Sequence, residues 1–278
     1  MDKIVIKAPA KINLGLNVIE KREDGYHNIQ TIFYPIQLCD VIKIDKAEIT
    51  KFRCSDPNLP HDETNLVIKA KNIIEQYVNK IFNVNIYLEK NIPVGAGLGG
   101  GSSDAAAVLL ALNELFNLKL THKELHNLAF ALGSDVPFFI NPLLAYAESR
   151  GEVLRLLELK INKPILIVYP NIHVSTKWAY SKITPKFPAH SLSQLNKIDF
   201  EDQNIRRLIT NDFEGIVFNE FPEIARLKEL LFNNGALFAL MSGSGSSVFG
   251  IFEDLDRAIE AKGTLSKNYF TFIHYEKT

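Results

Sequence analysis

The sequence is poor in cysteine and holds only Cys39 and Cys54. Two cysteines are too few for a disulfide framework, and neither stands at a spacing typical of metal ligands. We therefore expect a protein of a reducing compartment, the cytoplasm. Residues 1–7 are typical of a short strand and include charged side chains, so they resemble neither a secretory signal nor an acidic-poor transit peptide.

The chain also lacks an excess of charge of either sign. Its 31 Lys and Arg residues stand against 32 Asp and Glu residues, for a formal net charge of −1. Nucleic acids and anionic membranes favour strongly basic proteins, so we expect neither as the main partner. No apolar run approaches the roughly 20 residues that span a bilayer. A length of 278 residues with 46% hydrophobic residues suits one large domain or two ordinary ones.

The most unusual segment that is present, PVGAGLGGGSSD at residues 93–104, holds five glycines within seven residues. Glycine costs chain entropy and buries no side chain, so such a loop must let something approach its backbone. Apolar residues at helical spacing follow, which predicts a helix at about 103–116 capped by Ser102, Ser103 or Asp104. Glycines before a helix N-terminus are typical of a phosphate site. The alternative is a tight strand-to-helix connection, which needs only one or two glycines.

This first glycine loop lacks features of the better-known phosphate motifs. Gly95, Gly97 and Gly100 match the dinucleotide fingerprint, but that motif opens directly from a buried strand, with an acidic residue about 20 residues later at the end of a second strand. Here residues 89–93 intervene. No lysine follows Gly101, which excludes a Walker loop, and the protein-kinase sequences His-Arg-Asp and Asp-Phe-Gly are absent. Groups outside these motifs must therefore neutralise the negative charge of a bound phosphate.

A second glycine-serine segment lies between the apolar segments 236–241 and 248–252. A hairpin needs only two turn residues, so this connection is longer than necessary. The alternatives are a flexible surface turn and a second backbone that approaches the same ligand as the first loop. Its central residues are Ser242, Gly243, Ser244 and Gly245.

Apolar periodicity indicates an α+β protein, because strands and helices follow each other without strict alternation. A capping box at Thr121 and Glu124 predicts a helix that ends at Gly133. We place a domain boundary near Lys163 and Pro164, which gives domains 1–160 and 161–278. The other predicted elements are strands at 3–8, 12–18, 29–38, 41–46, 84–88 and 165–169, a helix capped by Thr64 or Asn65, and a helix from Pro222 to Gly235.

Two side chains could carry chemistry. Lys11 precedes an alternating strand, where a lone lysine is usually a solvated surface group. Asp135 follows a helix end and could simply cap the turn before Pro137. Together with the first loop, they fit phosphoryl transfer, which needs a phosphate site, a carboxylate for the attacking hydroxyl and a cation near the developing charge.

Three segments, in this order, resemble the motifs of the GHMP small-molecule kinases, named after galactokinase, homoserine, mevalonate and phosphomevalonate kinases. They are PAKINL at 9–14, PVGAGLGGGSSD at 93–104 and MSGSGSS at 241–247. Two further segments, DGYH at 24–27 and LGSDVPFF at 132–139, are similar to one branch of the family. That branch phosphorylates a cytidine diphosphate-linked erythritol in the non-mevalonate route to isoprenoids.

The resemblance implies a two-domain α+β fold with an active site in the cleft between the domains. The N-terminal domain would have a ribosomal-protein-like β-α-β core, and the smaller C-terminal domain would be ferredoxin-like. ATP would be the co-substrate, and Mg²⁺ would accompany it. The substrate would be a small molecule with a cytidine diphosphate group.

The resemblance also implies roles for individual residues. Asp135 would be the catalytic base and Lys11 its cationic partner. Asp104 is the one acidic residue near the loop that is evident as a metal ligand, so the protein's contact with Mg²⁺ stays open, with Ser102 or Ser103 as candidates. Tyr26 and Tyr180 would sandwich the cytosine, with His27 at its polar edge and Asn13 and Phe33 lining the pocket. The residues around the ATP phosphates would be Pro93, Val94, Gly95, Ala96, Gly97, Leu98, Gly99, Gly100, Gly101, Ser102 and Ser103.

Three other functions stay open at this point. Another GHMP kinase could act on mevalonate, homoserine or a sugar, but the DGYH segment favours a substrate with a base to stack. A non-catalytic ligand sensor on the same fold would not need both Lys11 and Asp135. A nicotinamide-dependent dehydrogenase is disfavoured by the strand and spacing arguments given for the first loop.

Overall fold

A computed structural model of the chain describes residues 2–158, 160–195, 198–202 and 204–276. The chain divides into two compact units, each built from separate segments. The first unit holds the described part of Met1–Ala10 with Leu38–Ile92 and Gly99–Pro142, and the second holds Lys11–Gln37, Pro93–Leu98 and the described part of Leu143–Thr278. The predicted boundary at residue 160 adjoins residue 159, which lies outside the described residues, and it stays a prediction.

The described residues form strands, α-helices and two short 3₁₀ helices. The strands are β1 (Lys3–Lys21), β2 (His27–Lys46), β3 (Lys51–Cys54), β4 (Val84–Glu89), β5 (Ala145–Ser149), β6 (Val153–Leu156), β7 (Ile165–Tyr169), β8 (Phe238–Met241), β9 (Val248–Ile251) and β10 (Phe270–His274). The α-helices are α1 (Leu66–Val78), α2 (Gly100–Leu115), α3 (His122–Leu132), α4 (Thr176–Lys182), α5 (Ile205–Leu208), α6 (Glu214–Glu220), α7 (Pro222–Asn233) and α8 (Leu255–Leu265). The 3₁₀ helices are Val136–Ile140 and Leu192–Gln194. In the described part of the chain, none of the helices combines the length and the apolar character needed to cross a membrane.

The first two strands are longer than the sequence pattern predicts. The patterns at 3–8 and 12–18 belong to one strand, β1, and those at 29–38 and 41–46 belong to β2. Pro9 does not interrupt β1, which pairs with β2 alone among the described strands. An edge strand tolerates a residue that has no N–H group to donate.

In the first unit, the second half of β2 pairs antiparallel with β4, and β3 pairs parallel with β4. Alternate side chains of β4 are buried, because successive residues of a strand point to opposite faces of the sheet. Helices α1, α2 and α3 pack against each other. The caps of two of them confirm the sequence predictions: Asn65 accepts the Val67 N–H at the start of α1, and Thr121 and Glu124 form the capping box of α3.

The second unit contains an antiparallel sheet in the order β10-β7-β9-β8. Helices α7 and α8 pack against this sheet, and α7 buries Ile224, Leu227 and Leu231, which lie at helical spacing on one face. The chain order β7, α7, β8, β9, α8, β10 is the ferredoxin-like β-α-β-β-α-β arrangement. This confirms the fold predicted for the C-terminal part. In the same unit, β5 pairs with the first half of β2 and with β6.

Helix α2 begins earlier than predicted. It begins at Gly100, and Gly99 occupies the cap position in the left-handed region, with φ 74° and no side-chain capping bond. The prediction that Ser102, Ser103 or Asp104 caps the helix is therefore wrong. A left-handed cap favours glycine, so the glycine run itself supplies the cap and the first two residues of the helix.

Candidate active site

The second glycine loop, Ser242–Ser247, is buried along its whole length. Ser242, Ser246 and Ser247 are fully buried, and Asn211 donates hydrogen bonds to the carbonyls of Met241 and Gly243, both at 2.8 Å. A flexible surface turn would be solvated instead. The surface-turn alternative is therefore wrong.

The second unit brings this loop into direct contact with residues 93–98 of the first loop. The Ser242 hydroxyl donates to the Gly97 carbonyl at 2.9 Å, and the Ser247 N–H donates to the Ala96 carbonyl at 3.0 Å. Gly97 has φ 75°, and a Cβ atom there would lie 2.2 Å from the Ser242 carbonyl oxygen. Only glycine allows the two backbones to approach this closely.

Lys11 is buried beside these loops and has an exposed fraction of only 3%. Its N–H donates to the Leu98 carbonyl at 2.9 Å, and its Nζ donates to Asn13 Oδ1 and lies 4.9 Å from the centre of the Phe33 ring. A buried ammonium group needs such partners, because the loss of its hydration is costly. The alternative of a solvated surface lysine is wrong.

Asn13 connects Lys11 to the second loop. Its N–H donates to Ser242 Oγ at 3.1 Å, and its Nδ2 donates to Thr31 Oγ1 at 2.9 Å. Thr31 is fully buried, and its hydroxyl donates to the Gly15 carbonyl at 2.6 Å. Sequence reasoning missed Thr31 and the bridging role of the Ser242 hydroxyl. A polar residue on the buried face of an apolar strand was the available signal for Thr31.

The aromatic residues predicted to bind a base lie in the second unit with partners of their own. Tyr26 has an exposed fraction of 51%, and the guanidinium carbon of Arg150 lies 3.5 Å from its ring centre. His27 stacks on Tyr180, with ring centres 5.0 Å apart and 24° between the planes, and Phe213 packs edge-on against Tyr180. A base held between Tyr26 and Tyr180 stays a prediction. Arg150 is a contact that no sequence motif indicated.

The turn before His27 is held by local hydrogen bonds. Asp24 Oδ1 accepts the Tyr26 N–H at 3.0 Å, and Arg22 Nε donates to Asp24 Oδ2 at 3.1 Å. Burial, together with the positive charge of Lys21, lowers the pKa of His27. The imidazole of His27 is therefore predominantly neutral at pH 7, with one nitrogen to donate and one to accept.

In the first unit, the start of α2 contains polar atoms without a described partner. Hydrogen bonding within this helix begins with the Ser103 N–H and the Gly99 carbonyl, at 2.9 Å, so the N–H groups of the preceding residues face out of the helix end. Ser103 Oγ and Asp104 Oδ1 are buried, and neither has a hydrogen-bond partner among the described residues. Such orphaned buried atoms are rare in native proteins.

The same unit holds a buried group of charges, Asp40, Lys90 and Asp104, which we call the Asp40–Lys90–Asp104 cluster. Lys90 Nζ donates to both carboxylates, at 2.9 Å to Asp104. Burial raises the pKa of Asp104 to about 7, although Lys90 favours the ionised form. Burial alone would lower the pKa of Lys90, but attraction to Asp104 and Asp40 raises it. No sequence motif connects these three residues.

Asp135 directly precedes the 3₁₀ helix Val136–Ile140 and is half-buried in the first unit. Its side chain makes no capping hydrogen bond to that helix within the described residues, whereas the Val136 N–H bonds to the Gly133 carbonyl at 3.2 Å. The structure therefore gives no support to a capping role. The roles of Asp135 as the base and of Lys11 as its partner stay predictions.

The polar groups of each unit suit the binding of an anion. No group of three or more His, Cys, Asp or Glu side chains within the described ranges could hold a metal ion by itself. Groups that bind phosphate are present in each unit: glycine-rich backbone, serine hydroxyls and a buried lysine in the second unit, and a helix N-terminus in the first.

Comparison with known proteins agrees with this geometry. Residues 65–141 match the GHMP kinases N-terminal domain, and residues 183–271 match the GHMP kinases C-terminal domain. A 4-diphosphocytidyl-2-C-methyl-D-erythritol kinase from Chlorobium chlorochromatii is 44% identical over 272 residues, which cover 96% of this chain and 94% of that protein.

Solved structures extend the comparison to the fold. A 4-(cytidine 5'-diphospho)-2C-methyl-D-erythritol kinase has a TM-score of 0.82 and 34% identity, with 98% of each chain covered. Homoserine kinase from Cytophaga hutchinsonii, at 20% identity, shares the fold with a TM-score of 0.73 over 99% of this chain and 94% of that chain. The chain therefore belongs to the GHMP kinases, a family of ATP-dependent small-molecule kinases with a two-domain α+β fold.

Proposed function

We propose that this chain transfers the γ-phosphate of ATP to a hydroxyl of 4-diphosphocytidyl-2-C-methyl-D-erythritol, giving the 2-phosphate, in the non-mevalonate route to isoprenoids. The observation that carries the proposal is the direct contact of two glycine loops beside a buried lysine: Ser242 bonds to Gly97 while it accepts the N–H of Asn13, the partner of Lys11. The identity of the substrate is inferred from the names of the related kinases.

ATP would bind with its phosphates along residues 93–103. Positive φ values at Gly95, Gly97 and Gly99 turn successive backbone groups in directions that other residues rarely adopt. In the second loop, Ser247 Oγ is buried without a partner among the described residues, so a ligand oxygen could supply its missing hydrogen bond. This arrangement does without a Walker lysine.

The chain's own residues would carry the proton transfer. Asp135 would accept the proton of the substrate hydroxyl. At the same time, the hydroxyl oxygen would form a bond to the γ-phosphorus, and the bond between this phosphorus and the oxygen of the leaving ADP would break. Lys11 would favour the ionised form of Asp135 and hold the hydroxyl in line. A positioned base of this kind typically contributes about 10²–10⁴ in rate.

Mg²⁺ fits the start of α2. Mg²⁺ prefers oxygen ligands and usually keeps several waters and phosphate oxygens, so it needs few protein groups. Ser103 Oγ and Asp104 Oδ1 are buried oxygens without a described partner, and we assign them as the groups that would hold the ion. Ser102 stays an alternative. Bound Mg²⁺ would offset the charge of the triphosphate.

The cytosine would be recognised in the second unit. Tyr26 and Tyr180 would stack on its faces, and the neutral imidazole of His27 could both donate to and accept from its polar edge. The buried residues Asn13 and Phe33 would line the pocket.

We place the protein in the cytoplasm, because Cys39 and Cys54 are free thiols. A net charge of −1 favours a small-molecule substrate over nucleic acid or a membrane.

A coupled ADP-release assay tests the proposal. The purified chain is given ATP and Mg²⁺ with one of four alcohols: the cytidine-linked erythritol, mevalonate, homoserine or galactose. We expect turnover with the first alcohol and none above background with the other three. Turnover with only one of the other three would overturn the proposed identity of the substrate. No turnover with any of the four alcohols would favour a non-catalytic ligand sensor.

A further inference from the structure

The Asp40–Lys90–Asp104 cluster has no part in the mechanism proposed above, apart from one oxygen of Asp104. All three side chains are almost fully buried, with exposed fractions of 0% for Asp40, 7% for Lys90 and 4% for Asp104. Lys90 Nζ bonds to Asp40 Oδ2 and to Asp104 Oδ2. The cluster therefore combines two carboxylates and one ammonium group in the interior of the first unit.

One end of the cluster holds the chain segment that enters the first glycine loop. Asp40 Oδ1 accepts the N–H groups of Asn91 at 2.6 Å and of Ile92 at 2.9 Å. Ile92 is buried and directly precedes Pro93, the first residue of the loop. A carboxylate that accepts two backbone N–H groups fixes that backbone strongly, because charged hydrogen bonds are shorter and stronger than neutral ones.

The other end of the cluster holds the segment that leaves the loop. Asp104 lies in the second turn of α2, which begins at Gly100 directly after the loop. The contact continues at Gly100 itself, where a Cβ atom would lie 3.0 Å from Ile92 Cγ2 and 3.3 Å from Lys90 Nζ. Lys90 and Ile92 therefore pack closely against the first residue of the helix.

The cost of burial argues that the cluster does more than stabilise the fold. Taking charges out of water is expensive, and apolar residues of similar volume often stabilise a protein as well as a buried ion pair does. In some proteins, buried charged groups are retained because they fix one particular geometry, and we treat the cluster as such a case. Here the geometry concerns the distance and direction between Ile92 and the N-terminus of α2.

We propose that the Asp40–Lys90–Asp104 cluster is a positioning device for the nucleotide: it fixes both ends of the first glycine loop so that its backbone N–H groups are held ready for the phosphates of ATP. In this proposal, Lys90 and Asp40 are positioning residues that act through the backbone at the two ends of the loop. The inference rests on the proposed function only in naming ATP as the anion.

The test replaces Lys90 with methionine, which is one atom shorter, keeps an unbranched side chain and removes the charge. We expect KM for ATP to rise about 10-fold or more, because a misplaced binding group loses much of its effect. We expect KM for the cytidine-linked substrate to stay within about twofold, since that site is formed by other residues. Hydrogen exchange of the ligand-free chain should become faster in peptides that cover residues 91–103.

A matched control lies in the same unit. Lys71 and Glu75 form another buried ion pair at 2.7 Å, and Glu75 also accepts a backbone N–H, from Phe82. Lys71→Met therefore removes a comparable charge pair that does not adjoin the loop, and it should leave KM for ATP and the exchange of residues 91–103 unchanged. Equal effects of Lys90→Met and Lys71→Met on both readouts would overturn the proposal.

Two variants of Asp40 keep the proposal testable if Lys90→Met does not fold. Asp40→Asn retains an oxygen that can accept the Asn91 and Ile92 N–H groups, whereas Asp40→Ala retains none. We expect a smaller rise of KM for ATP in Asp40→Asn than in Asp40→Ala, and the same value in both would contradict a positioning role. The exchange measurement needs no substrate, so failure of the wild-type chain to phosphorylate the cytidine-linked erythritol overturns only the proposed function.

Discussion

At the scale of single residues, the burial of Lys11 decides how the site is interpreted. The sequence around Lys11 is compatible with a solvated lysine at a sheet edge, and only tertiary structure shows that Asn13 accepts its hydrogen bond and that Phe33 lies under it. Burial of one polar residue depends on partners that are distant in sequence. Asn13 and Ser242, for example, lie 229 positions apart.

Asp135→Asn tests the proposed base. Asparagine has nearly the same shape as aspartate but cannot accept a proton at neutral pH, so kcat should fall by about 10²–10⁴. The Kd for ATP should change by less than about twofold, because the proposed nucleotide site is formed by other residues. Both values come from steady-state kinetics and a nucleotide titration on the same preparation. Loss of ATP binding in parallel with kcat would show that Asp135 is structural.

Ser242→Ala tests the contact between the two loops. The substitution removes a hydroxyl that accepts the Asn13 N–H and donates to the Gly97 carbonyl, and it leaves both buried groups without that partner. The free energy of unfolding should fall by about 1–3 kcal/mol in a urea titration. Ser244→Ala is the control, because the Ser244 hydroxyl bonds to Thr176 Oγ1 at 2.9 Å instead. An equal or larger loss in Ser244→Ala would contradict the bridging role of Ser242.

At the scale of elements, the glycine-rich sequence predicts the first loop but not the residue at which the loop ends and α2 begins. The apolar spacing predicts the helix, and its serines are good caps, yet the helix begins at Gly100. Glycine carries no apolar signal and disfavours helix interiors, so periodicity alone places the start too late. The positive φ of Gly99 becomes visible only in the folded chain.

Gly97→Ala tests whether the two loops must touch. The added Cβ would lie 2.2 Å from the Ser242 carbonyl oxygen, so the loops would have to separate, and KM for ATP should rise at least about 10-fold. Gly235→Ala is a matched control with a similar φ of 89° and no neighbour within 4 Å of the new Cβ. It should lose about 1–2 kcal/mol of stability through backbone strain and keep the wild-type KM. Equal values of KM in the two variants would contradict close contact of the loops.

A pH titration of stability tests the attachment of β10 to β2. His274 Nδ1 accepts the Gln37 N–H at 3.1 Å, which requires an unprotonated nitrogen, and burial lowers the pKa of this imidazole. A lowered pKa in the folded state means that the stabilising contribution is complete above the unfolded value of about 6.5 and is lost as pH falls through the folded value. The free energy of unfolding should therefore decrease between pH 7.5 and pH 5.5.

The variant His274→Gln separates this residue from the other titrating groups. Glutamine can still accept the Gln37 N–H through its oxygen but does not titrate, so the decrease between the two pH values should be smaller than in the wild-type chain. His27, whose pKa is also lowered, contributes to the slope in both proteins. An unchanged slope in His274→Gln would contradict the assignment.

At the scale of the whole molecule, the sequence motifs predicted more than the periodicity did. The three ordered motifs led to the family and to the ferredoxin-like C-terminal arrangement, which the sheet order β10-β7-β9-β8 confirms. The periodicity could not show that both units are built from separate segments, because contacts such as those of Lys11 with Leu98 and of Asn13 with Ser242 connect distant parts of the chain. The stacking of His27 on Tyr180 was unpredictable for the same reason.

Nucleotide binding should stabilise the whole chain. A ligand that binds only the folded state adds about 2.7 kcal/mol when its concentration is 100 times Kd, so ATP with Mg²⁺ should raise Tm in a thermal melt. Gly97→Ala should show a much smaller rise at the same ATP concentration, whereas Gly235→Ala should match the wild-type chain. No rise in the wild-type chain at millimolar ATP would argue against a nucleotide site in this protein.

The central claim is that the two glycine loops hold the triphosphate while Asp135 and Lys11 prepare the attacking hydroxyl. A crystal structure with a non-hydrolysable ATP analogue and the cytidine-linked erythritol tests it most directly, through the distances from the phosphate oxygens to the backbone of residues 95–103 and from the Asp135 carboxylate to the acceptor hydroxyl. We predict hydrogen-bond distances for both, about 2.6–3.2 Å. A triphosphate bound away from residues 95–103, or an Asp135 carboxylate beyond the reach of that hydroxyl, would contradict the account.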